Sequence, residues 1–409
     1  MSRVDTPIGH LPALAWRWLW SRPLAAGLNL WMLALGFAAM VLLTLVSEQI
    51  EGQAQRDLAG IDLVVGAKGS PIQLILAGVF HIDVPPGNIP LAARQQLAAH
   101  PLVAQAIPIS LGDSYRGYRI VGTSAELPAL YGATLLQGRA WREPLEALVG
   151  ARVAAAAALT PGASFAGAHG LGGSGEAHEG QPFKVVGVLA PCHCVLDRLI
   201  LTATESVWAL HENATAVDDE DRRILEAERE VTMLLVRYRS PLAAVTLPRW
   251  VQAQPGLQAA VPALESARLF RLLGVGLDVL RALALLLLGV ATLSVFVALT
   301  HAVREREPDL AMLRMLGAAP ARVMSVLALE ALMLTGLGLL LGLVLGHGLT
   351  ALIGWLLQAE RSLVITGWWW SPWHLALVLL AGALALAAVA WPAWRVRRMD
   401  VSTLLQSPH

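Results

Sequence analysis

Four apolar runs, each long enough to cross a bilayer, constrain this chain more than any other feature. A span takes about 20 residues of helix, because hydrocarbon offers no partner to an unpaired backbone group. The first run is "LAAGLNLWMLALGFAAMVLLTLV", Leu24 to Val46, and the second is "ALALLLLGVATLSVFVALT", Ala282 to Thr300. The third lies inside Val323 to Leu357, and the fourth runs from about Pro372 to Trp394. The chain is 56% hydrophobic and 15% charged, too little charge to cover a water-soluble particle of this length. Leu24–Val46 is too long for the apolar core of a signal peptide and lacks a small-residue cleavage site, so it reads as a retained helix. Formal net charge is zero, which gives no electrostatic footprint for a nucleic-acid partner.

Arginine placement sets the orientation. Arg3, Arg17 and Arg22 precede the first span, and Arg304, Arg306, Arg314 and Arg322 lie between the second and third. Arg395, Arg397 and Arg398 follow the fourth, whereas the 358–371 loop has only Arg361. The positive-inside rule then puts both termini and the 301–322 loop in the cytoplasm of a bacterium, the spans in its inner membrane, and the large middle region in the periplasm. That compartment is oxidising.

The expected organisation is an interfacial helix within 1–23, a first span over 24–46 and a periplasmic α+β domain over 47–269. A stalk and second span follow over 270–300, then a cytoplasmic loop over 301–322 and a third span within 323–357. A short periplasmic loop over 358–371, a fourth span over 372–394 and a cytoplasmic tail over 395–409 complete it. Trp16, Trp18 and Trp20 with Arg17 and Arg22 suit a headgroup-level helix. In the middle region, β-branched runs at 61–69, 118–124, 183–190 and 231–240 predict strands. The stretches 91–100, 146–159 and 202–212 predict short helices, and the Gly-rich 160–182 a flexible loop. Segment 218–230 reads as a solvated charged face or helix. Arg268, Arg271, Asp278 and Arg281 interrupt the apolar pattern before the second span, which predicts a helix continuing out of the membrane as a stalk.

The 301–346 segment carries the sharpest pattern. Arg304, Glu305, Arg306 and Glu307 form a polar exit from the second span, and Pro308 is suited to a first helical turn. Leu310, Met312, Leu313, Met315 and Leu316 then make an apolar stripe opposite Asp309 and Arg314, ended by Gly317. Such an amphipathic helix at the cytoplasmic face is what a membrane protein needs to receive a push from a partner.

This stretch, with the tail "AWPAWRVRRMDVSTLL", resembles the FtsX/MacB family of ABC-transporter permeases, in its LolC/LolE-like subgroup without a fused ATPase. The resemblance implies four membrane helices with one large periplasmic domain between the first two, and a homodimer or pseudo-dimer of permeases. It also implies a separate cytoplasmic ABC ATPase that binds ATP and Mg²⁺ and docks on 304–322. ATP-driven motion would then reach the periplasmic domain by mechanotransmission, for export or extraction of a lipoprotein, lipid, peptide or metal-related compound. A periplasmic adaptor or substrate-binding protein and membrane lipid are further expected partners, and the chain itself is expected not to be an enzyme. "GAKGSP" at 66–71 lacks the order of a phosphate-binding P-loop. Glu330 is the main charge within the spans and is expected on the cytoplasmic side, near the coupling loop. Gly338, Gly342 and Gly346 recur every four residues, which lets helix backbones approach closely, either between subunits or within one.

Both cysteines lie in "APCHCVLDRL" (190–199). Cys192, His193 and Cys194, with His169, His178 and His81, are candidate zinc or copper ligands. Against that reading, C-x-C is not the usual zinc spacing, and in a strand His193 would face away from both sulfurs. A Cys192–Cys194 disulfide is the other reading, and both stand at this point. In related permeases the segment is a turn before an Asp-Arg pair, which Asp197 and Arg198 keep. The competing functional class is a membrane-anchored periplasmic metal-binding sensor or receptor without transport. A secondary transporter is disfavoured by four spans with no intramembrane acidic pair.

Overall fold

The computed structural model describes residues 11–170, 180–215, 218–305, 319–360 and 365–398. In chain order the elements begin with α1 Leu11–Leu19, α2 Pro23–Asp57, β1 Leu63–Ala67, α3 Pro71–Gly78, β2 Ile89–Pro90 and α4 Leu91–Ala99. They continue with β3 Val103–Tyr115, β4 Tyr118–Thr123, α5 Glu126–Leu130, β5 Leu135–Gly138, β6 Glu146–Val149 and α6 Ala151–Ala157. Next come β7 Ser164–Phe165, β8 Ala168–His169, β9 Phe183–Leu189, β10 Ile200–Ala203, α7 Thr204–Thr215 and α8 Asp219–Ala227. The remainder is β11 Glu230–Val231, β12 Met233–Tyr238, α9 Ala243–Gln252, β13 Leu257–Ala260, α10 Pro262–Glu305, α11 Pro320–Glu360 and α12 Trp373–Arg398. The chain divides into two compact units, one over Ile50–Leu273 and one of helices up to Gln49 and from Gly274 onward.

The helical unit holds the four apolar helices able to span a membrane. Leu33, Phe37 and Val41 of α2 meet Leu288, Ala291 and Val295 of α10 in its core. Leu327, Ala331 and Leu334 of α11 and Leu377, Ala381 and Ala385 of α12 complete it. The spacings of three and four put each set on one helix face. Opposite faces stay bare: Leu286, Leu293 and Val344 are 63%, 60% and 70% exposed, as suits side chains solvated by lipid. At 44 residues, α10 is about 66 Å long, roughly twice the hydrocarbon thickness.

The other unit is built on a mixed sheet of eleven strands with the path β13-β1-β12-β3-β4-β10-β6-β9-β5, where β7 adds to β9 and β8 to β3. Most neighbours are antiparallel, but β4 with β10 and β6 with β9 run parallel. Strand β4 is buried at every position and β12 at Met233–Val236, so their apolar runs are near-continuous instead of alternating. Helices α4 and α9 contribute Leu97, Leu247 and Val251 to one core, and α3 contributes Leu74 and Ile75 to another.

Several elements depart from the sequence expectations. The 146–159 stretch is not one helix: Glu146–Val149 forms β6, zipped between β10 and β9, and only Ala151–Ala157 is helical. Sheet pairing overrides the helix propensity of an alanine-rich run. Residues 202 and 203 belong to β10, and α7 starts at Thr204. Two short strands, β7 and β8, lie in the part of 160–182 expected to be a loop.

Candidate functional site

Two places join the candidate residues to the long helices. The first is the turn that follows β9. It is not extended: His193 has φ 53°, and Val195–Arg198 form a 3₁₀ turn. The carboxylate of Asp197 accepts the N–H of Cys192 at 2.9 Å and of His193 at 2.8 Å, reaching back across the turn, which explains an acid at this position. The left-handed residue reverses the chain and brings the flanking sulfurs together, and Cys192 and Cys194 are joined by a disulfide. No thiolate is left at this turn to bind zinc or copper.

This turn grips the end of α2. Arg56 Nε donates to the carbonyl of His193 at 2.8 Å, and Arg198 Nη2 donates to Asp57 Oδ2 at 3.1 Å. The second pair is buried on both sides, with Asp57 1% and Arg198 9% exposed at the side chain. Arg198 also donates to the carbonyl of Phe80, Gln53 donates to Asp57 Oδ1 at 2.9 Å, and the Tyr131 hydroxyl donates to the Asp57 carbonyl at 2.7 Å. Burial disfavours the charge on Arg198, and Asp57 works against that. The Asp-Arg element was visible in the sequence, but its partner is 141 residues away and left no local signal.

The remaining histidine candidates do not gather here. His81, also left-handed at φ 55°, is buried beside Arg119 and Arg198, and its pKa is driven well below 6.5 by burial and then by those guanidinium groups. Two fixed cations also repel a metal ion. His169 pairs instead with Asp113, Nδ1 to Oδ1 3.1 Å. His178 lies outside the described residues. Among the described residues no three His, Cys, Asp or Glu groups are placed to hold a metal ion.

The second place is the membrane helices. Arg304 and Glu305 end α10, and Glu305 pairs with Arg22. Arg306, Glu307, Leu310, Leu313, Arg314, Leu316 and Gly317 lie outside the described residues. Because α11 already begins at Pro320, Glu330 sits nearly three turns inside the helix. It is 7% exposed and borders a crevice of about 40 Å³ with Asn29 of α2 and Ala298 of α10. The glycine row of α11 faces α2 of the same chain. A Cβ on Gly338, Gly342 or Gly346 would lie 2.7, 2.5 or 2.6 Å from the Cβ of Leu33, Phe37 or Val41. Both sets advance by four, so one ridge of α2 seats in one groove of α11, and the close approach is within a subunit.

A polar cap, not anticipated from sequence, closes one end of this bundle. Gln49 of α2 exchanges hydrogen bonds with the backbone of Thr366 at 3.0 and 2.8 Å, and Glu48 accepts from Ser371 Oγ at 2.8 Å. His347 Nδ1 lies 2.6 Å from the Gly367 carbonyl. Trp368 and Trp370, 91% and 73% exposed, stand beside it as an interfacial aromatic belt would.

Comparison with known proteins agrees with this architecture. Residues 26–247 match the MacB-like periplasmic core domain, and residues 281–401 the FtsX-like permease C-terminal region. The pyoverdine export ATP-binding/permease protein PvdT of Pseudomonas fluorescens (strain Pf0-1) is 24% identical over 417 residues, covering 96% of this chain. The chain spans 58% of the length of that relative. The periplasmic region of MacB from Actinobacillus actinomycetemcomitans covers 53% of this chain and 95% of its own, at 12% identity and a TM-score of 0.35. The extracellular domain of the noncanonic ABC-type transporter YknZ from Gram-positive bacteria covers 49% and 98%, at 13% identity and 0.29. With four membrane-capable helices, a mixed α/β domain between the first two, and sequence matches to both parts, the chain belongs to the FtsX/MacB family of ABC-transporter permeases.

Proposed function

We propose that this chain is the membrane subunit of an ABC exporter whose ATP hydrolysis is performed by a separate cytoplasmic subunit. Both termini and the 301–322 loop face the cytoplasm, and the mixed domain faces the periplasm. Two permease copies work together, and the ATPase docks on 304–322. Its motion passes along α2 and α10 to the sheet unit, which acts on a substrate outside the membrane or in its outer leaflet. The observation that carries this reading is helix length: α2 and α10 are unbroken over 35 and 44 residues, and a span takes about 20. The buried Asp57–Arg198 pair and the Arg56–His193 contact fix the end of α2 to the sheet unit's own turn, which suits a helix that must transmit displacement. The substrate class is lipoprotein, lipid, peptide or metal-related compound, and the pyoverdine-export relative favours export as the direction.

The test is reconstitution of the full chain in nanodiscs with its ATP-binding subunit. Leu313→Glu should lower permease-stimulated ATP hydrolysis by about tenfold while the permease keeps its thermal stability, because a charge in the apolar stripe removes the docking face. Unchanged association and hydrolysis in that variant would refute the coupling role of 304–322.

A further inference from the structure

A cleft in the sheet unit, outside every feature used above, has the chemistry of a ligand site. It measures about 1010 Å³, at the top of the range of small-molecule sites. Its apolar wall is Leu91, Leu111, Val207 and Leu225, from α4, β3, α7 and α8. Its acidic edge is Glu226, Glu228 and Glu230, all exposed. Ser110, only 4% exposed and with no hydrogen-bond partner for its Oγ, stands in the same wall. A buried hydroxyl without a partner is costly, and a ligand donor or acceptor would relieve it.

The cleft already handles one organic cation. Trp208 is fixed by its Nε1 donating to the Glu230 carbonyl at 2.7 Å, and the Arg229 guanidinium stacks 4.9 Å from its ring centroid. Three carboxylates against that one guanidinium, which pairs with Glu226 at 3.8 Å, leave the edge net negative, which disfavours an anionic ligand. A metal ion is also a poor match, because no three acidic or histidine groups converge on a point among the described residues. The negative charge is instead spread along an apolar wall.

We propose that this cleft binds a linear organic polyamine, a chain of ammonium groups separated by methylene segments. Its ammonium groups would face the successive glutamates, and its methylenes would cover Leu91, Leu111 and Leu225. The assignment is independent of whether the ligand is cargo or effector, and of the direction of transport.

The experiment is calorimetric titration of spermine into the full chain in phosphatidylcholine nanodiscs, with empty nanodiscs as blank. One saturable site is expected, weakened by about 0.5 M NaCl and at least about tenfold tighter than putrescine, which reaches fewer carboxylates. Glu228→Gln/Glu230→Gln and Trp208→Ala should each weaken binding about tenfold with unchanged melting temperature. Trp208→Phe serves if the alanine variant misfolds, and should show a smaller loss. Absence of saturable heat, equal affinity for putrescine, competition by Mg²⁺ at matched ionic strength, or variants that bind as wild type would each overturn the assignment.

Discussion

The sheet unit and the helical unit solve the same packing problem with opposite means. In the sheet unit water drives burial, and large side chains such as Phe183, Ile107 and Leu201 fill the interior. That interior also holds a charge pair, Asp57–Arg198, supported by a hydrogen bond from Gln53 to the carboxylate and one from the guanidinium to the Phe80 carbonyl. In the helical unit exposed leucine costs nothing against lipid, so apolar area gives no drive to associate. Close approach does the work there, through Gly338, Gly342 and Gly346 against α2. Polar contacts gather at the ends, at Arg22–Glu305 and at Gln49–Thr366, with Glu330 and Asn29 as buried exceptions between.

The contrast can be broken first at its charge pair. Asp57→Ala leaves the guanidinium of Arg198 buried without its counter-ion and should cost about 3–5 kcal/mol, seen as a large fall in the melting temperature of the purified permease. Asp57→Leu with Arg198→Met should recover most of that loss, and failure to do so would mean the pair is more than a compensated burial. The next largest effect is expected in the glycine groove. Gly342→Ile forces Phe37 and the α2 backbone away and should cost about 1–3 kcal/mol or more, with loss of monodisperse protein in detergent. Gly336→Ala is the control, since nothing lies within 4 Å of the added carbon; equal damage there would remove the packing argument.

A smaller effect is expected from the covalent turn. Replacing both Cys192 and Cys194 by serine reopens a three-residue loop and should cost about 1–2 kcal/mol by denaturant unfolding. A larger loss would show that opening the disulfide also disturbs the Arg198–Asp57 pair. The smallest effect is a pH slope. Buried His81 stays neutral, whereas the unfolded residue takes up a proton near 6.5, so its contribution is complete above that pH and is lost as pH falls below it. One proton sets a limit of about 1.4 kcal/mol per pH unit. His81→Asn, which tolerates the left-handed backbone, should flatten thermal stability between pH 6.5 and 5.5; an unchanged slope would place the titration elsewhere.

The four spans were legible because hydropathy over about 20 residues is a collective signal that no single residue can spoil. The family was legible from the short pattern at 301–346, and β1, β4, β9 and β12 from dense β-branched runs. Strand β3 was not, although it is the longest at 13 residues: Pro108, Gly112 and Asp113 interrupt it as loop residues would, and the last two lie within its change of register against β4. β6 was lost inside an alanine-rich stretch, because only pairing to β9 and β10 decides it. The geometric argument against a metal site at 190–199 assumed alternating strand faces. A single left-handed residue at His193 cancelled that alternation, and no composition rule signals a left-handed histidine.

Cys192 and Cys194, the only sulfurs in this chain able to form a cross-link, are spent on each other across one residue. No covalent tie therefore runs between distant parts of the polypeptide. Every long-distance connection, including the one at the end of α2, is made of contacts that thermal motion can open and close again. Oxidation therefore closes a single corner of the sheet unit and adds no tie between distant elements.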